Sequence, residues 1–448
     1  MFNNRRFEDM MVEKSEYCIA IIGTGFVGLT TGAGLSELGN KVICVDIDEG
    51  KISSLSNGYV PIYEEGLFEL VERNRKLHRL FFTTDIEEAT NSSDIIFICV
   101  GTPSKDDGDV DLSQIISAVE GISNSLNSYK IIAIKSTIPV GTLELVEGIL
   151  GKKDKIKGRD YDLAVVPEFL REGKAVYDFF NPTRIVIGAD KDDVSKVLAG
   201  IFSPLNAPVV YTTPLTAQLI KYASNAFLAS RISFINEIAN ICDHLGINVK
   251  DVIEGMKYDK RIGGHYLSPG IGFGGPCLSK DLNGLIKMAE SYGYQPNYLK
   301  SIMEKNSHQI SYVIDKLDKL LGGFRPGTKI GILGLTFKPD TNDVRNSLSI
   351  RIIKEIRERG AGVRAYDPKG MEEAKKYISD IIFCSDLYEA AKDSDALLIL
   401  TAWDEFKEID LERIRSTMKN PIIVDGVNIL DPAKVKRFGF LYEGIGVR

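Results

Sequence analysis

The chain has 448 residues, more than a single hydrophobic core usually supports, so two or three domains are expected. Its composition, 44% hydrophobic and 26% charged, is that of an ordinary globular protein, and its net charge of -7 argues against a surface that coats nucleic acid. No apolar run is long enough to cross a bilayer, and residues 1–16 are too polar for a signal peptide, so we expect a cytoplasmic protein.

The folded chain is predicted to begin with a strand, a glycine turn, a helix and a second strand. The apolar run 17–22 is predicted as a buried strand, and 41–46 as the next one. Between them, Gly23-Thr-Gly25-Phe26-Val27-Gly28 opens a helix that runs to about Leu38. This order of elements gives the GxGxxG pattern the context of a dinucleotide-binding domain.

Each glycine of this loop has a separate physical reason. Gly23 permits the tight turn, Gly25 lets the backbone approach a pyrophosphate, and Gly28 lets the helix pack closely on the strand. The positive end of the helix dipole then faces the phosphates. Asp46, at the end of the second strand, would accept hydrogen bonds from the adenosine ribose and repel a 2′-phosphate. The pattern therefore predicts NAD rather than NADP as the cofactor.

Further strands are predicted at 94–100, 130–135, 162–166 and 183–188, and the last of these is predicted to complete the first domain. In an open parallel sheet, ligands bind at the carboxyl ends of the strands. The loops that follow these strands, including Thr102, Thr137 and Glu168, are therefore expected to line the cofactor and substrate crevice.

A long helix is predicted from about Thr216 to Leu245, where the periodicity is helical and Gly246 supplies a stop. Thirty helical residues would span about 45 Å. Two interpretations remain open from the periodicity: a spine between domains with an exposed apolar flank that forms a dimer, or the core helix of a middle domain.

A second strand-first unit begins near Thr328, with predicted strands at 329–338, 361–367, 395–400 and 421–425. The run after Gly334 lacks the full glycine fingerprint, so a related fold with a different ligand is expected. The predicted fold class is α/β, with two Rossmann-like doubly wound domains joined by a long central helix and a helical middle domain. The predicted boundaries are a tail at 1–16, an NAD-binding domain at 17–212, a helical domain at 213–318 and a second Rossmann-like domain at 319–448.

One cysteine differs from the other five. Cys277 follows Gly274, Gly275 and Pro276, in a loop that exposes a side chain, and Lys280 and Asp281 come close behind it. The other cysteines lie in apolar or helical runs and are interpreted as small core residues. No CxxC or Cys/His pattern occurs, so neither disulfides nor a metal site are expected.

A thiol combined with a nicotinamide site has one economical use. The thiolate adds to a carbonyl, the resulting thiohemiacetal gives up a hydride, and water opens the thioester to an acid. Lys221 and Asn225, four residues apart on the long helix, would stabilise the oxyanion, unless they belong to a solvated helix face. Asp281, through water, would handle protons. Glu168 and Thr137 could be site residues or ordinary surface residues.

Six ordered motifs resemble the UDP-glucose/GDP-mannose dehydrogenase family. They lie at 23–28, 167–178, 221–225, 261–263, 272–281 and 334–340, and the resemblance extends from about Tyr17 to Gly426. It implies oxidation of the primary alcohol of a nucleotide sugar to a carboxylate, with two NAD+ and one water and without release of the aldehyde. It also implies a UDP-binding C-terminal domain and a homodimer built through the central helix.

The resemblance also assigns roles to residues through matching motifs. Its catalytic set is Cys277 as nucleophile, Lys221 and Asn225 as oxyanion partners, Asp281 as proton handler, Glu168 as water-orienting carboxylate, and Thr137 nearby. Its NAD contacts are Gly23, Gly25, Phe26, Val27, Gly28, Asp46, Lys51, Thr102, Lys280 and Arg345. Its sugar-nucleotide contacts are Phe169, Leu170, Arg171, Glu172, Tyr266, Leu267, Gly274, Gly275, Phe337 and Lys338, with Arg261 reaching the neighbouring subunit's site.

The chain departs from the common family pattern at two places. Pro276 and Ser279 stand where many members have serine and proline, and Val166 replaces the asparagine that commonly precedes Pro-Glu. The run from Arg261 favours UDP-glucose over N-acetylated sugars. The alternatives are the same chemistry on UDP-N-acetylmannosamine, UDP-N-acetylglucosamine or GDP-mannose, a two-electron hydroxy-acid dehydrogenase, and a nucleotide-sugar binder without turnover.

Overall fold

The computed structural model describes residues 16–105 and 108–447. Apart from Glu16, the predicted tail at 1–16 lies outside the described residues. The chain divides into two compact units, the first reaching Ser224 and including Asn283–Met288, and the second built from Asn225–Leu282 and Ala289–Arg448. The finer division into three folded domains stays a prediction.

The sheet of the first unit has eight strands. Along the chain they are β1 (Cys18–Ile22), β2 (Lys41–Val45), β3 (Leu80–Thr83), β4 (Ile95–Ile98), β5 (Lys130–Ile134), β6 (Tyr161–Val165), β7 (Ile185–Ala189) and β8 (Val209–Thr212). Their order in the sheet is β3-β2-β1-β4-β5-β6-β7-β8. The order reverses between β1 and β4, which opens a crevice at the carboxyl ends of these strands.

Two features of this sheet differ from the sequence prediction. Strand β7 is antiparallel to β6, whereas the other neighbouring strands of this sheet are parallel. The prediction that the strand at 183–188 completes the domain is also wrong, because β8 follows and pairs with β7. Strands β3 and β8 were not predicted because each contains an apolar run of only three residues, at an edge of the sheet where the strand is partly exposed.

Helices cover both faces of this sheet. They are α1 (Phe26–Glu37), α2 (Glu49–Ser56), α3 (Leu67–Lys76), α4 (Ile86–Ser92), α5 (Ser113–Ser125), α6 (Thr142–Gly151), α7 (Ala175–Phe180) and α8 (Asp192–Phe202), with a 3-10 turn at Ser203–Leu205. Alternate residues of β1 enter two separate cores, with Ile19 and Ile21 in one and Ala20 and Ile22 in the other. This alternation buries the strand on both faces, as a doubly wound domain requires.

The predicted long helix is confirmed as α9 (Pro214–Leu245), which has 32 residues. Further along the chain come α10 (Val249–Lys257), α11 (Leu278–Ser291), α12 (Asn297–Leu321), α13 (Leu348–Glu358), α14 (Met371–Ala374), α15 (Leu387–Ala391), α16 (Leu411–Thr417) and α17 (Pro432–Arg437), with a 3-10 turn at Asp404–Phe406. Among the described helices, none combines the length and the apolar character of a membrane span.

The sheet of the second unit has six parallel strands in the order β11-β10-β9-β12-β13-β14. They are β9 (Lys329–Leu333), β10 (Gly362–Tyr366), β11 (Ile382–Phe383), β12 (Ala396–Ile399), β13 (Ile422–Asp425) and β14 (Leu441–Gly444). The order reverses between β9 and β12, as it does between β1 and β4. The predicted fold class, with two Rossmann-like domains and a long central helix, is confirmed.

Candidate active site

The glycine loop between β1 and α1 has the geometry of a dinucleotide site. Gly23 has a φ of +96° and donates its N–H to the Val45 carbonyl over 2.8 Å. A Cβ on Gly28 would lie 1.8 Å from the Gly23 carbonyl oxygen, so only glycine fits there. A Cβ on Gly25 would meet no atom within 4 Å, which leaves that side of the loop open to a pyrophosphate.

Asp46, at the end of β2, is held by this loop. Its Oδ2 accepts hydrogen bonds from the Thr24 N–H (2.9 Å), the Thr24 hydroxyl (2.7 Å) and the Lys51 ammonium (2.9 Å). Burial acts to raise the pKa of Asp46, but these hydrogen bonds outweigh it and lower the pKa to about 2. The carboxylate is therefore ionised at neutral pH, and Ile47 beside it is 94% exposed. An ionised acceptor and an exposed apolar side chain beside the open glycine loop fit the adenosine half of NAD.

The loops after β4 and β5 are joined by one hydrogen bond. The Thr102 hydroxyl donates to the Thr137 carbonyl over 2.9 Å, and Thr102 itself is buried. Both residues were predicted as site residues, and this bond brings their loops together at the carboxyl edge of the sheet.

Glu168 and Lys221 form a buried ion pair in the first unit. The Lys221 ammonium donates to Glu168 Oε1 over 2.8 Å and to the Glu168 carbonyl over 2.9 Å. The Leu170 N–H donates to Glu168 Oε2 over 2.5 Å. Both side chains are less than 10% exposed, so the alternative that Lys221 lies on a solvated helix face is wrong.

The charges around Glu168 keep it ionised. Its complete burial would raise its pKa, but the Lys221 charge and hydrogen bond, the Leu170 N–H and the Lys135 charge together hold the pKa below its ordinary value. Lys135, at the end of β5, is itself buried, and desolvation lowers its pKa. Lys135 was not predicted as a site residue, because a lysine at a strand end is usually exposed.

The segment that begins at Phe169 is held at both ends by residues that the sequence analysis missed. The Arg184 guanidinium carbon lies 3.6 Å from the centroid of the Phe169 ring. The buried carboxylate of Glu64 accepts the N–H groups of Gly173 (2.7 Å) and Ala175 (2.6 Å). These contacts join positions up to 111 residues apart, so no local pattern could reveal them.

Within the same segment, Arg171 is tied to the start of the next helix. Its guanidinium donates to the Asp178 carboxylate over 2.9 and 2.6 Å, and its backbone N–H donates over 3.0 Å. Arg171 was predicted as a sugar-nucleotide contact. The observed ion pair shows that it also joins the two ends of the loop that runs from Arg171 to Asp178.

Cys277 lies in the second unit, immediately before α11. All six cysteines fall within the described residues, and Cys277 alone among them is exposed. It occupies the N-cap position of α11, where the positive end of the helix dipole stabilises an anion. Burial instead raises the pKa of Cys99 to about 12, which makes that sulfur an inert core thiol. The distinction drawn from sequence between Cys277 and a core cysteine agrees with these environments.

Asp281, one turn into α11, joins two other predicted site residues. The Asn225 side-chain amide donates to Asp281 Oδ2 over 2.5 Å, and the Lys280 ammonium donates to Asp281 Oδ1 over 2.6 Å. The Asp281 N–H in turn donates to the Cys277 carbonyl over 2.8 Å. Asn225 is buried, so the alternative that it lies on a solvated face of α9 is wrong as well. An amide, an ammonium and a carboxylate thus share one hydrogen-bonded cluster on the turn that begins with the exposed thiol.

The glycine loop before Cys277 packs against the segment that follows β9. Gly275 has a φ of +85°, and a Cβ there would lie 2.7 Å from the Phe337 ring. The Lys338 ammonium lies 5.5 Å from the centroid of the same ring. Gly274 likewise has no room for a side chain, because its Cβ would lie 2.7 Å from the Asn346 carbonyl. Four predicted substrate contacts therefore form one surface within the second unit.

The remaining predicted site residues of this unit lie on loops. Arg261 is 89% exposed on its side chain and pairs with Asp259 over 2.6 Å. Arg345 pairs with Asp343 over 2.5 Å. Tyr266 has a φ of +58°, and the next residue, Leu267, is buried and anchors that loop.

The second Rossmann-like sheet has its own aspartate at the end of the second strand, but this residue is occupied. Asp367 Oδ2 accepts hydrogen bonds from Leu335 N–H (2.7 Å), Thr336 N–H (3.0 Å) and Trp403 Nε1 (3.1 Å), and the residue is 1% exposed. The Asp367 carboxylate is therefore not accessible to the hydroxyl groups of a ribose. This supports the expectation that the second domain takes a different ligand from the first.

Comparison with known proteins places three consecutive regions of the chain in one family. The models described as the UDP-glucose/GDP-mannose dehydrogenase family match at residues 17–206 for the NAD binding domain, 215–308 for the central domain and 331–432 for the UDP binding domain. The three regions follow one another in order and span most of the chain.

Individual proteins are similar along almost the full length. "UDP-glucose 6-dehydrogenase TuaD" of Bacillus subtilis is 45% identical over 430 residues, which cover 96% of this chain and 93% of that protein. A UDP-glucose 6-dehydrogenase of Rhizobium meliloti is 44% identical over 434 residues, which cover 96% of this chain and 99% of that protein. The solved structure of a UDP-glucose dehydrogenase from Pyrobaculum islandicum matches with a TM-score of 0.91 at 35% identity. The match covers 97% of this chain and 99% of that one.

Proposed function

This chain belongs to the UDP-glucose/GDP-mannose dehydrogenase family and uses NAD, and from that premise we propose that it oxidises UDP-glucose to UDP-glucuronate in two successive steps. Both curated relatives described above are named for this substrate. The observation that carries the proposal is the exposed thiol of Cys277 at the N-terminus of α11, in a chain that also has an NAD-binding domain.

The reaction balances as two oxidations and one hydrolysis. The C6 alcohol loses a hydride and a proton to become an aldehyde, and a thiol adds to this aldehyde to give a thiohemiacetal. The thiohemiacetal loses a second hydride and proton to become a thioester, which water cleaves to a carboxylate and the free thiol. Each sugar therefore consumes two NAD+ and one water, and yields two NADH and three protons. NAD+, when bound, supplies the acceptor for each hydride.

Cys277 is the nucleophile in this proposal. Its sulfur is exposed, and the N-terminus of α11 stabilises the thiolate that attacks the aldehyde carbon. Covalent capture keeps the aldehyde on the protein, so that the second oxidation acts on a tetrahedral carbon already attached to the enzyme.

Lys221 and Asn225 supply donors for the oxyanion of that tetrahedral carbon. They lie one turn apart on α9, and each is already oriented by a carboxylate: Lys221 by Glu168 and Asn225 by Asp281. Donors held by such fixed partners need little reorganisation when charge develops on the substrate oxygen. Asp281, through a water molecule, takes the protons that leave the alcohol and the thiohemiacetal.

Glu168 orients the hydrolytic water, together with Thr137. Its depressed pKa keeps it a hydrogen-bond acceptor at neutral pH, and a carboxylate that accepts from water directs the lone pair of the water toward its target. Because Lys221 holds Glu168 Oε1 and Leu170 holds Oε2, the carboxylate has a fixed orientation.

The glycine loop at Gly274 and Gly275, with Phe337 and Lys338, holds the sugar nucleotide. An aromatic ring and an ammonium beside backbone N–H groups suit a sugar ring and its neighbouring phosphate. The segment from Phe169 to Glu172 and the loop with Tyr266 and Leu267 complete the substrate contacts. On the cofactor side, Phe26, Val27, Lys51, Thr102, Lys280 and Arg345 accompany the glycine loop and Asp46.

The active form is a homodimer built through α9. An apolar stripe of Phe227, Phe234 and Ile241 recurs every seven residues on one face of this helix, and all three side chains are exposed. Arg231, on the same helix, donates to the carbonyls of three residues in the loop at 262–265, which follows Arg261. This anchoring fixes to α9 the loop that follows the exposed Arg261, the residue that would reach a partner's site.

A panel of nucleotide sugars tests the substrate. Purified protein with NAD+ is given UDP-glucose, UDP-N-acetylmannosamine, UDP-N-acetylglucosamine or GDP-mannose in turn, and NADH is followed by absorbance. We expect kcat/KM for UDP-glucose to exceed that for each other sugar by at least about 100-fold, because an N-acetyl group adds bulk and unmatched polar atoms at C2, and GDP-mannose has the opposite C2 configuration and a different base. A higher kcat/KM for any other sugar would replace the proposed substrate, and no NADH from any of them would reject the reaction.

A further inference from the structure

Three buried amide side chains lie under the glycine loop that leads to Cys277, and none of them has a role in the site described above. Asn236 is on α9, and Asn306 and Gln309 are on α12; none is more than 4% exposed. Buried amides destabilise a fold unless the protein supplies hydrogen-bond partners. Their partners therefore indicate what they are for.

Their partners include the backbone groups at both ends of the stretch 270–273, and the side-chain amides of Gln309 and Asn240, on α9, also hydrogen-bond to each other. Asn306 accepts the Phe273 N–H over 2.7 Å and donates to the Phe273 carbonyl over 2.9 Å. The Gly270 N–H donates to Asn236 Oδ1 over 2.8 Å, and the Gly270 carbonyl accepts from Gln309 Nε2 over 2.9 Å. Four hydrogen bonds from three amides thus fix two backbone positions of the loop.

The backbone between and beyond these positions follows a path that needs glycine. Gly272 has a φ of +114°, and a Cβ there would lie 2.4 Å from Asn306 Oδ1. Gly275 also has a positive φ, and its N–H donates to the Asn346 carbonyl over 3.3 Å. Glycine backbone is the most flexible, so an irregular path through it is stable only where other groups hold it. Cys277 comes two residues after this path ends.

We propose that Asn306, Gln309 and Asn236 are positioning residues for the Cys277 thiol, which they place by holding the backbone of the loop that precedes it. The proposal rests on the proposed function, because it takes Cys277 as the nucleophile. The three amides lie on the long helices α9 and α12. The loop that they hold, and with it the Cys277 sulfur, therefore has a fixed position relative to these two helices. A displacement of the sulfur by about 1 Å would cost up to about 100-fold in rate.

The simpler role for these amides, joining α9 to α12, is already filled by another residue. The buried Ser233 hydroxyl on α9 donates to the Ile302 carbonyl on α12 over 2.9 Å and has no hydrogen bond to the loop. Gln309 also joins the two helices through Asn240, whereas the hydrogen bonds of Asn306 and Asn236 described above go to the loop. Ser233 is therefore a matched control for the loss of a buried hydrogen bond at the same helix pair.

The test compares Asn306→Leu with Ser233→Ala. Leucine branches at Cγ as asparagine does and is larger, and it removes both bonds to Phe273. We expect Asn306→Leu to lower kcat about tenfold or more. We also expect alkylation of Cys277 by iodoacetamide in the protein without ligands to slow about threefold or more, because the displaced sulfur loses the N-terminus of α11.

UDP affinity separates displacement of the thiol from general damage. UDP affinity is measured by isothermal titration calorimetry on the protein without NAD. We expect the UDP dissociation constant to stay within about twofold of wild type in both variants. Ser233→Ala should keep wild-type kcat and alkylation rate even if its melting temperature falls.

A folded Asn306→Leu protein with kcat and alkylation rate within about twofold of wild type would overturn the proposal. If Asn306→Leu does not fold, the same criterion applies to Asn306→Asp, which keeps the size and the acceptor for the Phe273 N–H, and replaces the donor by a carboxylate oxygen that cannot bond to the Phe273 carbonyl when ionised. Failure of the proposed function is a separate outcome. It would appear as no NADH from any nucleotide sugar with wild-type protein, and the alkylation comparison would still decide whether the amides place the thiol.

Discussion

Single residues owe their chemistry here to the charges and backbone groups that surround them. Asp46 and Glu168 are both partly or wholly buried carboxylates, and burial acts to raise both pKa values. Hydrogen bonds from Thr24 and Lys51 reverse this for Asp46, and the Lys221 ammonium does so for Glu168. Both carboxylates are thus ionised acceptors at neutral pH, as their proposed roles toward a ribose and toward water require.

The sequence identifies reactive groups better than the residues that hold them. Cys277 and Lys221 were predicted because an unusual residue type stood in an unusual local context. Glu64, Arg184 and Asn306 were not, because each acts through partners far away in the chain, such as Gly173 at 109 residues from Glu64. A buried carboxylate or amide carries no local mark, so its role becomes visible only when the fold brings its partners together.

Replacing Cys277 with alanine tests its role as nucleophile. We expect Cys277→Ala to form UDP-glucuronate at less than about one-thousandth of the wild-type rate, because neither the thiohemiacetal nor the thioester can form. Product is measured by mass spectrometry. Cys18→Ala, at the half-buried cysteine of β1, is the control and should keep wild-type turnover. Uronate from Cys277→Ala at near-wild-type rate would contradict the assignment.

Replacing Lys221 tests the buried ion pair through its pH dependence. Lys221→Met leaves the Glu168 carboxylate buried without its main partner, so we expect a loss of about 3–5 kcal/mol in unfolding free energy at pH 7. In wild type the depressed pKa of Glu168 adds stability above the unfolded value of about 4.3, and this stability is lost as pH falls. In the variant burial dominates and raises that pKa, so its stability rises on acidification.

The difference in stability between wild type and Lys221→Met should therefore shrink as pH falls from 7 toward 4, as measured by denaturant or thermal unfolding. Lys375→Met removes one partner of an exposed pair with Glu372 and is the control. It should change stability by less than about 1 kcal/mol at either pH. A difference for Lys221→Met that stays constant or widens on acidification would show that Glu168 is not the group involved.

At the scale of elements, apolar pattern predicts the interior of each sheet and fails at its edges. Strands β1, β4, β5 and β6 were predicted from continuous apolar runs, which central strands need because both faces are buried. The edge strands β3, β8, β11 and β14 are short or partly exposed, and the apolar run within each has only two or three residues. The direction of β7 could not be inferred either, because an apolar run reads the same in both directions.

Glu64 offers a test of how one element positions another. Glu64→Gln keeps one acceptor but turns an amide donor toward a backbone N–H, so one of the bonds to Gly173 and Ala175 is lost at a cost of about 1–3 kcal/mol. We expect the segment from Phe169 to lose its fixed position, which raises KM for UDP-glucose about tenfold or more. Steady-state kinetics measures this. Glu65→Gln, at the exposed neighbouring residue, is the control and should keep the wild-type KM. An unchanged KM in a folded Glu64→Gln protein would show that Glu64 does not position the segment.

At the scale of the whole molecule, the ordered motifs predicted both the family and the fold class, because six spaced motifs constrain far more than composition does. The boundaries of the domains are harder to predict, because α9 is one continuous helix and its periodicity does not change where Ser224 and Asn225 fall in different units. Sequence periodicity does not predict the assembly either, because an apolar helix face is expected both for a core helix and for a helix in a dimer interface.

The exposed stripe of α9 gives a test of the assembly. A charge at Phe234 would be buried without a partner in a dimer built through this face, so we expect Phe234→Glu to sediment as a monomer in analytical ultracentrifugation. Tyr177→Glu, at an exposed aromatic residue of α7, is the control and should sediment as the wild-type dimer. A dimer of unchanged stability in Phe234→Glu would exclude this face as the interface.

Capture of the aldehyde by Cys277 is the claim on which the whole mechanism depends, and the electron count per sugar tests it most directly. A limiting, known amount of UDP-glucose is converted to completion with excess NAD+, and NADH and the sugar product are both quantified. The mechanism predicts two NADH for each UDP-glucose, with UDP-glucuronate as the product. One NADH for each sugar, with free aldehyde in solution, would contradict it.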